Sequence, residues 1–524
     1  MPDTIFKDVL IVDGSGAEPF IADLRVSGER ITEIGKVASA PEDTVIRFQN
    51  FALCPGFVDA HGHSDYQVLV VPSAESKILQ GMTTEVGGNC GYSGAPVFGE
   101  LAKERNRGLK DEYGLEKDFK TFKKFFQHLK DPGIAVNFAP QVGYNTVRAC
   151  VTGFRREPPD KEEMRRIQSE IGKGMALGCF GMSAGLIYAP GTFASKEELI
   201  EALAPVREAG GLFSCHIRSE GDKLIEAVAE FIEIGRKAKV RLELSHLKTS
   251  GRQNWKKLDQ VFDLIEDARK DGIDIKADRY PYTASFTSLS SVLPDWVFEG
   301  SGSAYQERLK TDRDKIKKEL AVKPPDSWKR IVVSQCFSEK AKQVEGKTIA
   351  ELAQQERKSP VDFFIDFLGE EKTSPNAIFH SMSSENMERI YLKDWVMVGT
   401  DSGVRGFEGI LAKGKPHPRA FGAFPRFINQ MVKIKKLISL ARAVEKSSRV
   451  CAEHFRIKDR GKIAVGYYAD LVLFDPEVIR DYATFENPFL APKGIEIVMV
   501  NGQIAAMQGE VTGRLPGKVL EMGK

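Results

Sequence analysis

The chain has no surplus of charge of either sign: 75 Lys and Arg against 73 Asp and Glu leave a formal net charge of +2 over 524 residues. That balance offers little to a phosphate backbone or an anionic bilayer, so neither nucleic acid nor membrane is expected as a partner. Basic stretches such as Arg105 to Lys110 read as solvated helix faces. Apolar runs long enough to span a bilayer are missing. The first residues, Met1-Pro2-Asp3, lack the basic-then-apolar pattern of a secretory signal. Cysteine is sparse: the seven residues are scattered, odd in number and without a Cys-x-x-Cys pair. This argues against a disulfide framework and for reduced thiols in a cytoplasmic protein. What is present is an ordinary globular composition, 42% hydrophobic and 28% charged, long enough for one large domain with one or two smaller units.

Short β segments occupy both ends. Asp8 to Val12, Asp23 to Val26 and Arg30 to Gly35 are matched near the C-terminus by Ala469 to Pro476 and Ile497 to Gly502. This suggests a small domain built from both termini. Between them, strands alternate with helices. Asp160 caps an expected helix over Glu162 to Leu177, with Met164, Ile167, Ile171 and Met175 on one stripe. Ser195-Lys196-Glu197-Glu198 has the pattern of a capping box. Repeated β-then-α units argue for a parallel sheet, open or closed. Strand candidates lie near Phe57, Thr83, Ala135, Phe180, Leu212, Val240, Ile273, Ala377 and Val396, nine for the eight positions of a closed barrel, so one is surplus. The stretch from about Thr283 to Glu345 breaks the rhythm and reads as an inserted lid.

Metal-capable side chains recur at the C-terminal ends of these strands. His61 and His63 follow the first strand, and residues two apart on a strand share a face. Cys90 stands inside Gly87-Gly88-Asn89-Cys90-Gly91, His216 and His246 end two later strands, and Asp401 follows Trp395 to Thr400. In a (β/α)8 barrel such ends converge on one active site. A lone histidine there is more often a rim residue, a lone cysteine a small buried one, and a lone aspartate the cap of the next helix. Repetition at strand ends lifts the joint reading. Imidazole, thiolate and carboxylate together suit zinc. His128 and His454 sit in helix-like contexts and read as structural; His380 has no supporting neighbour.

Pro55 to His63, Gly81-Met82-Thr83-Thr84 leading into Gly88-Asn89-Cys90-Gly91, and Gly399-Thr400-Asp401-Ser402 resemble the amidohydrolase superfamily. More narrowly, the chain resembles the D-aminoacylase (N-acyl-D-amino-acid deacylase) family over nearly its whole length. Gly181 to Tyr188, Ser245-His246-Leu247-Lys248, Asp278-Arg279-Tyr280-Pro281-Tyr282 and His417-Pro418-Arg419 carry further likeness. The glycine-flanked cysteine is the most specific element, because many amidohydrolases use a modified lysine as bridging ligand. The resemblance implies an α/β fold, a (β/α)8 TIM-like barrel over residues 55–455 with an insert at about 283–345. It also implies a small β domain formed by residues 1–54 and 456–524. Zinc would be held mainly by Cys90, His216 and His246, with His61, His63 and Asp401 forming a weaker or partly vacant second site that shares Cys90. Asp401 would carry the proton, and Lys248, Tyr280 and Arg419, with Tyr282 as a second tyrosine candidate, would hold the carboxylate of a small N-acyl amino acid. The D configuration follows from the resemblance alone. One departure is the segment between Asp401 and His417, which is longer than the family's usual loop and bears on the placement of Arg419. A cyclic amidase of the dihydropyrimidinase or dihydroorotase kind is disfavoured by Cys90 standing where those carry lysine. A non-catalytic scaffold is disfavoured by retention of Asp401 and every expected ligand.

Overall fold

Eight short parallel strands position the site. In the computed structural model, which describes residues 2–300, 304–371 and 373–524, they are β1 (Phe57–Asp59), β2 (Met82–Gly87), β3 (Asn137–Pro140, resumed at Val142–Gly143), β4 (Gly181–Gly185), β5 (Leu212–His216), β6 (Arg241–Leu244), β7 (Ile275–Arg279) and β8 (Val396–Val398). Each pairs in parallel with the next. The ring closes between β8 and β1. There the Ala60 amide donates to the Val398 carbonyl at 3.2 Å and the Asp401 amide to the His61 carbonyl at 2.8 Å, beside a parallel bridge between Gly62 and Ser402. The fold is therefore a (β/α)8 barrel. Strands covered on both faces are written as near-continuous apolar or small-residue runs, and β4 and β5 are buried at every position.

The connecting helices follow their caps. Lys161–Ala176 starts at a capping box between Asp160 and Glu163 and buries Met164, Ile167, Ile171 and Met175. Lys196–Ala202 starts where the Ser195 side chain accepts from the Glu198 amide. Both ends of the chain enter one nine-stranded sheet. In it Ala52–Pro55 runs parallel to Thr4–Ile11 and antiparallel to Leu471–Phe474. Among the described residues no helix is long and apolar enough to cross a membrane. All seven cysteines are free thiols.

Ala377 corrects the strand count. It lies not in the barrel but in Asn376–His380, the central strand of a three-stranded antiparallel sheet with Ala284–Ser288 and Ile331–Gln335. Ala377 is buried in the insert's own core with Val333, Leu352, Phe364 and Leu368, and Phe379 packs partly buried against it. An apolar run of that length looks the same in either sheet. The antiparallel sheet thus extends past the expected boundary at 345, and the insert covers the carboxyl ends of the barrel strands.

Beneath the β8–β1 seam lies a wholly buried ion cluster. Lys77 Nζ donates to Asp59 at 2.7 Å, to Thr400 Oγ1 at 2.9 Å and to the Ser402 carbonyl at 2.7 Å, and stands 3.4 Å from Glu85. Burial, with Asp59 adding repulsion and Lys77 opposing it, pushes the Glu85 carboxyl up to about 7. Removing one partner strands the others in a dry interior. Lys77→Met is expected to cost about 3–5 kcal/mol of stability, measurable as a lowered denaturation midpoint; a midpoint equal to wild type would contradict this role for the cluster.

Candidate active site

Backbone geometry at the strand ends aims the side chains inward. Cys90, His246 and Asp401 all adopt left-handed backbone, with φ of 52°, 37° and 50°. Non-glycine residues reach this region at a cost, and such strain gathers at functional sites. The glycine between His61 and His63 is required by space, since a Cβ on Gly62 would lie 1.9 Å from Glu85 Oε1.

Cys90 Sγ is the centre of the arrangement. It stands 3.3 Å from His61 Nε2, 3.4 Å from His246 Nε2 and 3.7 Å from His216 Nδ1. Ligands around a tetrahedral zinc at ordinary Zn–S and Zn–N lengths have sulfur-to-nitrogen edges of roughly 3.6 Å. The donor set and its spacing therefore fit zinc. Asp401 faces the group from β8. Its Oδ1 is 3.1 Å from His63 Nε2 and 3.8 Å from His61 Nε2, and its Oδ2 is 2.8 Å from Arg419 Nη1. Among the described residues the metal-capable groups are thus four: His61, Cys90 and His246; His61, His63 and Asp401; His216, Glu220 and His246; and His61, Glu243 and Asp278. All six expected ligands come together at one rim.

Electrostatics follow from burial and pairing. Burial, reinforced by the Asp401 carboxylate, pushes the Cys90 thiol well up, a bias that coordination reverses because a ligating thiol is deprotonated. Burial likewise holds His216 and His246 below the usual imidazole range. For His61 burial acts the same way, but the carboxylates of Asp278, Asp401 and Asp59 outweigh it and raise the imidazole. Asp401 resists its own burial through Arg419, His246, His63 and His61, and stays well below the ordinary carboxylate range.

Two site residues escaped the sequence reading. Asp278, in β7, accepts from His61 Nδ1 at 2.9 Å and from the His246 amide at 3.0 Å, fixing one ring through its outer nitrogen. Its place near a strand end was the available signal. Glu220 lies four residues after His216 in a loop; it pairs with Lys248 and sits 3.0 Å from His246 Nδ1 and 3.7 Å from His216 Nε2.

The expected carboxylate anchors divide. Lys248 is buried at the site but already engaged with Glu220 and, at 2.7 Å, with His246 Nδ1. Arg419 is buried beside Asp401, its amide donating to His417 Nδ1 at 3.0 Å, so the longer loop before it does not displace it. The Tyr280 ring lies 4.5 Å from the Arg419 guanidinium, and its buried hydroxyl has no hydrogen-bond partner. Tyr282 is the correction. Its hydroxyl points away from the cluster to Asp481 at 3.3 Å and the Pro418 carbonyl at 3.4 Å, and its ring packs edge-on against His417. Both rings lie against His417, but it is Tyr280 whose ring stacks with Arg419. His128 and His454 bond to backbone carbonyls away from the cluster. A cavity of about 1340 Å³ opens over the rim, lined by His63, Cys90, His216 and Asp401 and, from the insert, by Phe286 and Phe379.

An eight-stranded parallel barrel with imidazole, thiolate and carboxylate gathered at its carboxyl rim defines a hydrolase-type barrel with a metal-capable centre. Comparison with known proteins narrows this. Residues 341–506 match the Amidohydrolase family. The chain is 32% identical over 518 residues to the D-aminoacylase of Alcaligenes xylosoxydans xylosoxydans, covering 99% of this chain and 97% of that protein. Of solved structures, a D-aminoacylase with a binuclear metal centre, described by one-metal activation and second-metal attenuation, superposes with a TM-score of 0.84 at 30% identity, covering 99% of this chain and 100% of that one. The N-acyl-D-glutamate deacylase of Bordetella bronchiseptica, complexed with zinc and a phosphonate mimic of the tetrahedral intermediate, does so with the same score at 29% identity, covering 99% of each chain. The chain belongs to the D-aminoacylase family of amidohydrolases.

Proposed function

We propose that this protein is a zinc-dependent, cytoplasmic hydrolase that cleaves the amide bond of N-acyl-D-amino acids to a carboxylate and the free D-amino acid. The observation that carries the reading is one thiol, Cys90, within 3.7 Å of ring nitrogens from His61, His216 and His246. Cys90, His216 and His246 would hold the tighter zinc, and His61, His63 and Asp401, with Cys90, would hold a weaker second one. The compartment is supported by seven unbridged cysteines, and the D configuration by the relatives.

When bound, zinc supplies Lewis acidity that makes water nucleophilic near neutral pH and polarises a carbonyl. Asp401 takes the proton of the attacking water and passes it to the departing amine, which leaves poorly unless protonated. Arg419, with Lys248 and the free hydroxyl of Tyr280, receives the substrate carboxylate; guanidinium offers two parallel hydrogen bonds and ammonium a point charge. The insert lines the cavity over the rim with Phe286 and Phe379, apolar surface for the acyl part of the substrate.

The test is hydrolysis of paired D and L N-acyl amino acids by the metal-replete protein. Turnover of the D member alone, abolished by chelation and restored by zinc, is the expected result; turnover of neither, or equally of both, overturns the proposal. Arg419→Ala is further expected to raise KM for N-acyl amino acids far more than for their amidated analogues. An equal rise for both would remove Arg419 from the carboxylate role.

A further inference from the structure

His246 Nδ1 has two claimants that demand opposite tautomers. Lys248 Nζ lies 2.7 Å from it, and an ammonium can only donate, so this contact asks for a bare Nδ1 and leaves the ring proton on Nε2. Glu220 Oε1 lies 3.0 Å from the same nitrogen, and a carboxylate can only accept, so this contact asks for a proton on Nδ1 and leaves Nε2 bare. Nε2 is the nitrogen that faces Cys90, at 3.4 Å. Only the tautomer favoured by Glu220 leaves a lone pair there. The same oxygen is 3.7 Å from His216 Nε2, a buried nitrogen with no hydrogen-bond partner, while His216 Nδ1 faces Cys90 at 3.7 Å. The two rings stand edge-on, 4.4 Å apart, so the carboxylate that lies 3.0 Å from the outer nitrogen of His246 also faces that of His216, at 3.7 Å and without a hydrogen bond to it. Glu220 also pairs with the Lys248 ammonium itself.

We propose that Glu220 is the positioning residue of this centre: it selects the ring tautomer of His246 that leaves a free nitrogen toward Cys90, and it does so against Lys248. The inference rests on the zinc assignment above. Outer partners of ligating histidines are worth about 10–100-fold in metal affinity, but here the effect has a named opponent. Without Glu220, the Lys248 ammonium keeps its contact to Nδ1 and holds the proton on Nε2, the wrong side of the ring. Removing Lys248 as well takes away the group that enforces the wrong tautomer.

The experiment measures zinc affinity by competition with a chromophoric chelator in wild type, Glu220→Ala, Lys248→Met and the double variant. Co²⁺ absorption spectra serve as a second readout and thermal midpoints as a check of folding. Glu220→Ala is expected to bind zinc about 10–100-fold more weakly. The double variant is expected to recover a substantial part of that loss and the wild-type-like Co²⁺ spectrum, a rescue that a merely structural role would not produce. Zinc affinity of Glu220→Ala equal to wild type, or a double variant no tighter than the single one, would overturn the inference. If Glu220→Ala fails to fold, Glu220→Met, which keeps the bulk of the side chain and removes both acceptor oxygens, is measured in its place under the same criteria. Absence of zinc binding by wild type would instead sink the metal assignment on which the inference stands.

Discussion

Cys90→Ala is expected to abolish both tight zinc binding and hydrolysis, whereas His61→Ala is expected to retain most of its zinc. The asymmetry comes from position. The Cys90 sulfur contacts rings supplied by three segments of the rim: the turn after β1, the end of β5 and the turn after β6. It is the one donor common to both proposed sites. Alanine there leaves the nitrogens of His216 and His246 without the anion that compensates a dication in a buried site. His61 is held differently: Asp278 grips its Nδ1 at 2.9 Å, and its Nε2 lies between Cys90 and Asp401. Its loss removes one donor from the weaker site and leaves Cys90, His216 and His246 in place. Zinc content after dialysis against a mild chelator, measured beside turnover, separates the two. Equal loss of zinc in both variants would contradict the assignment of the tighter site. Cys90→Asp, restoring an anion with harder donor atoms, is expected to bind zinc again, more weakly than wild type.

Much of this site was legible because its chemistry sits at positions that periodicity can find. His61 and His63 are two apart after an apolar strand. His216 and His246 end runs of alternating or continuous apolar residues, and Cys90 is bracketed by glycine. These signals are local, and the barrel brings them together by its topology. What was not legible depends on where loops carry side chains. Glu220 looks like any charged residue in Arg218-Ser219-Glu220, and nothing local says that the loop folds back to place it over two histidines. Asp278 was visible as part of a motif but not as the partner of His61, because the contact joins β7 to the turn after β1, 217 residues away. Tyr282 and Tyr280 are indistinguishable by type, and only the three-dimensional course of the chain sends one to Asp481 and the other to Arg419. Ala377 was misplaced because a buried strand of an antiparallel insert and a buried strand of a parallel barrel use the same residues; hydrogen-bond direction tells them apart, and sequence does not encode it locally.

Asp401→Asn is expected to lower kcat by about 10²–10⁴-fold while leaving the tighter zinc bound. The substitution keeps the shape of the side chain and one acceptor oxygen, so contacts to His63 and Arg419 are weakened, not erased. What it removes is the capacity to take a proton from water and return it to the leaving amine. The nearby carboxylates among the described residues are otherwise engaged: Glu220 with Lys248 and His246, Asp278 with His61, Glu243 with Ser245, and Glu85 behind the seam with Lys77. Because an amide expels its nitrogen only after protonation, the defect should shrink with substrates whose leaving group needs no proton. An activated ester of the same acyl group is therefore expected to lose far less rate than the amide in the Asp401→Asn variant. That ratio isolates protonation of the leaving amine, since loss of a metal ligand or of the base that activates water would slow ester and amide alike. A variant that turns over amides at near wild-type kcat would remove Asp401 from the proton-carrying role, and one that loses ester and amide hydrolysis in equal measure with its zinc intact would remove it from protonation of the leaving amine.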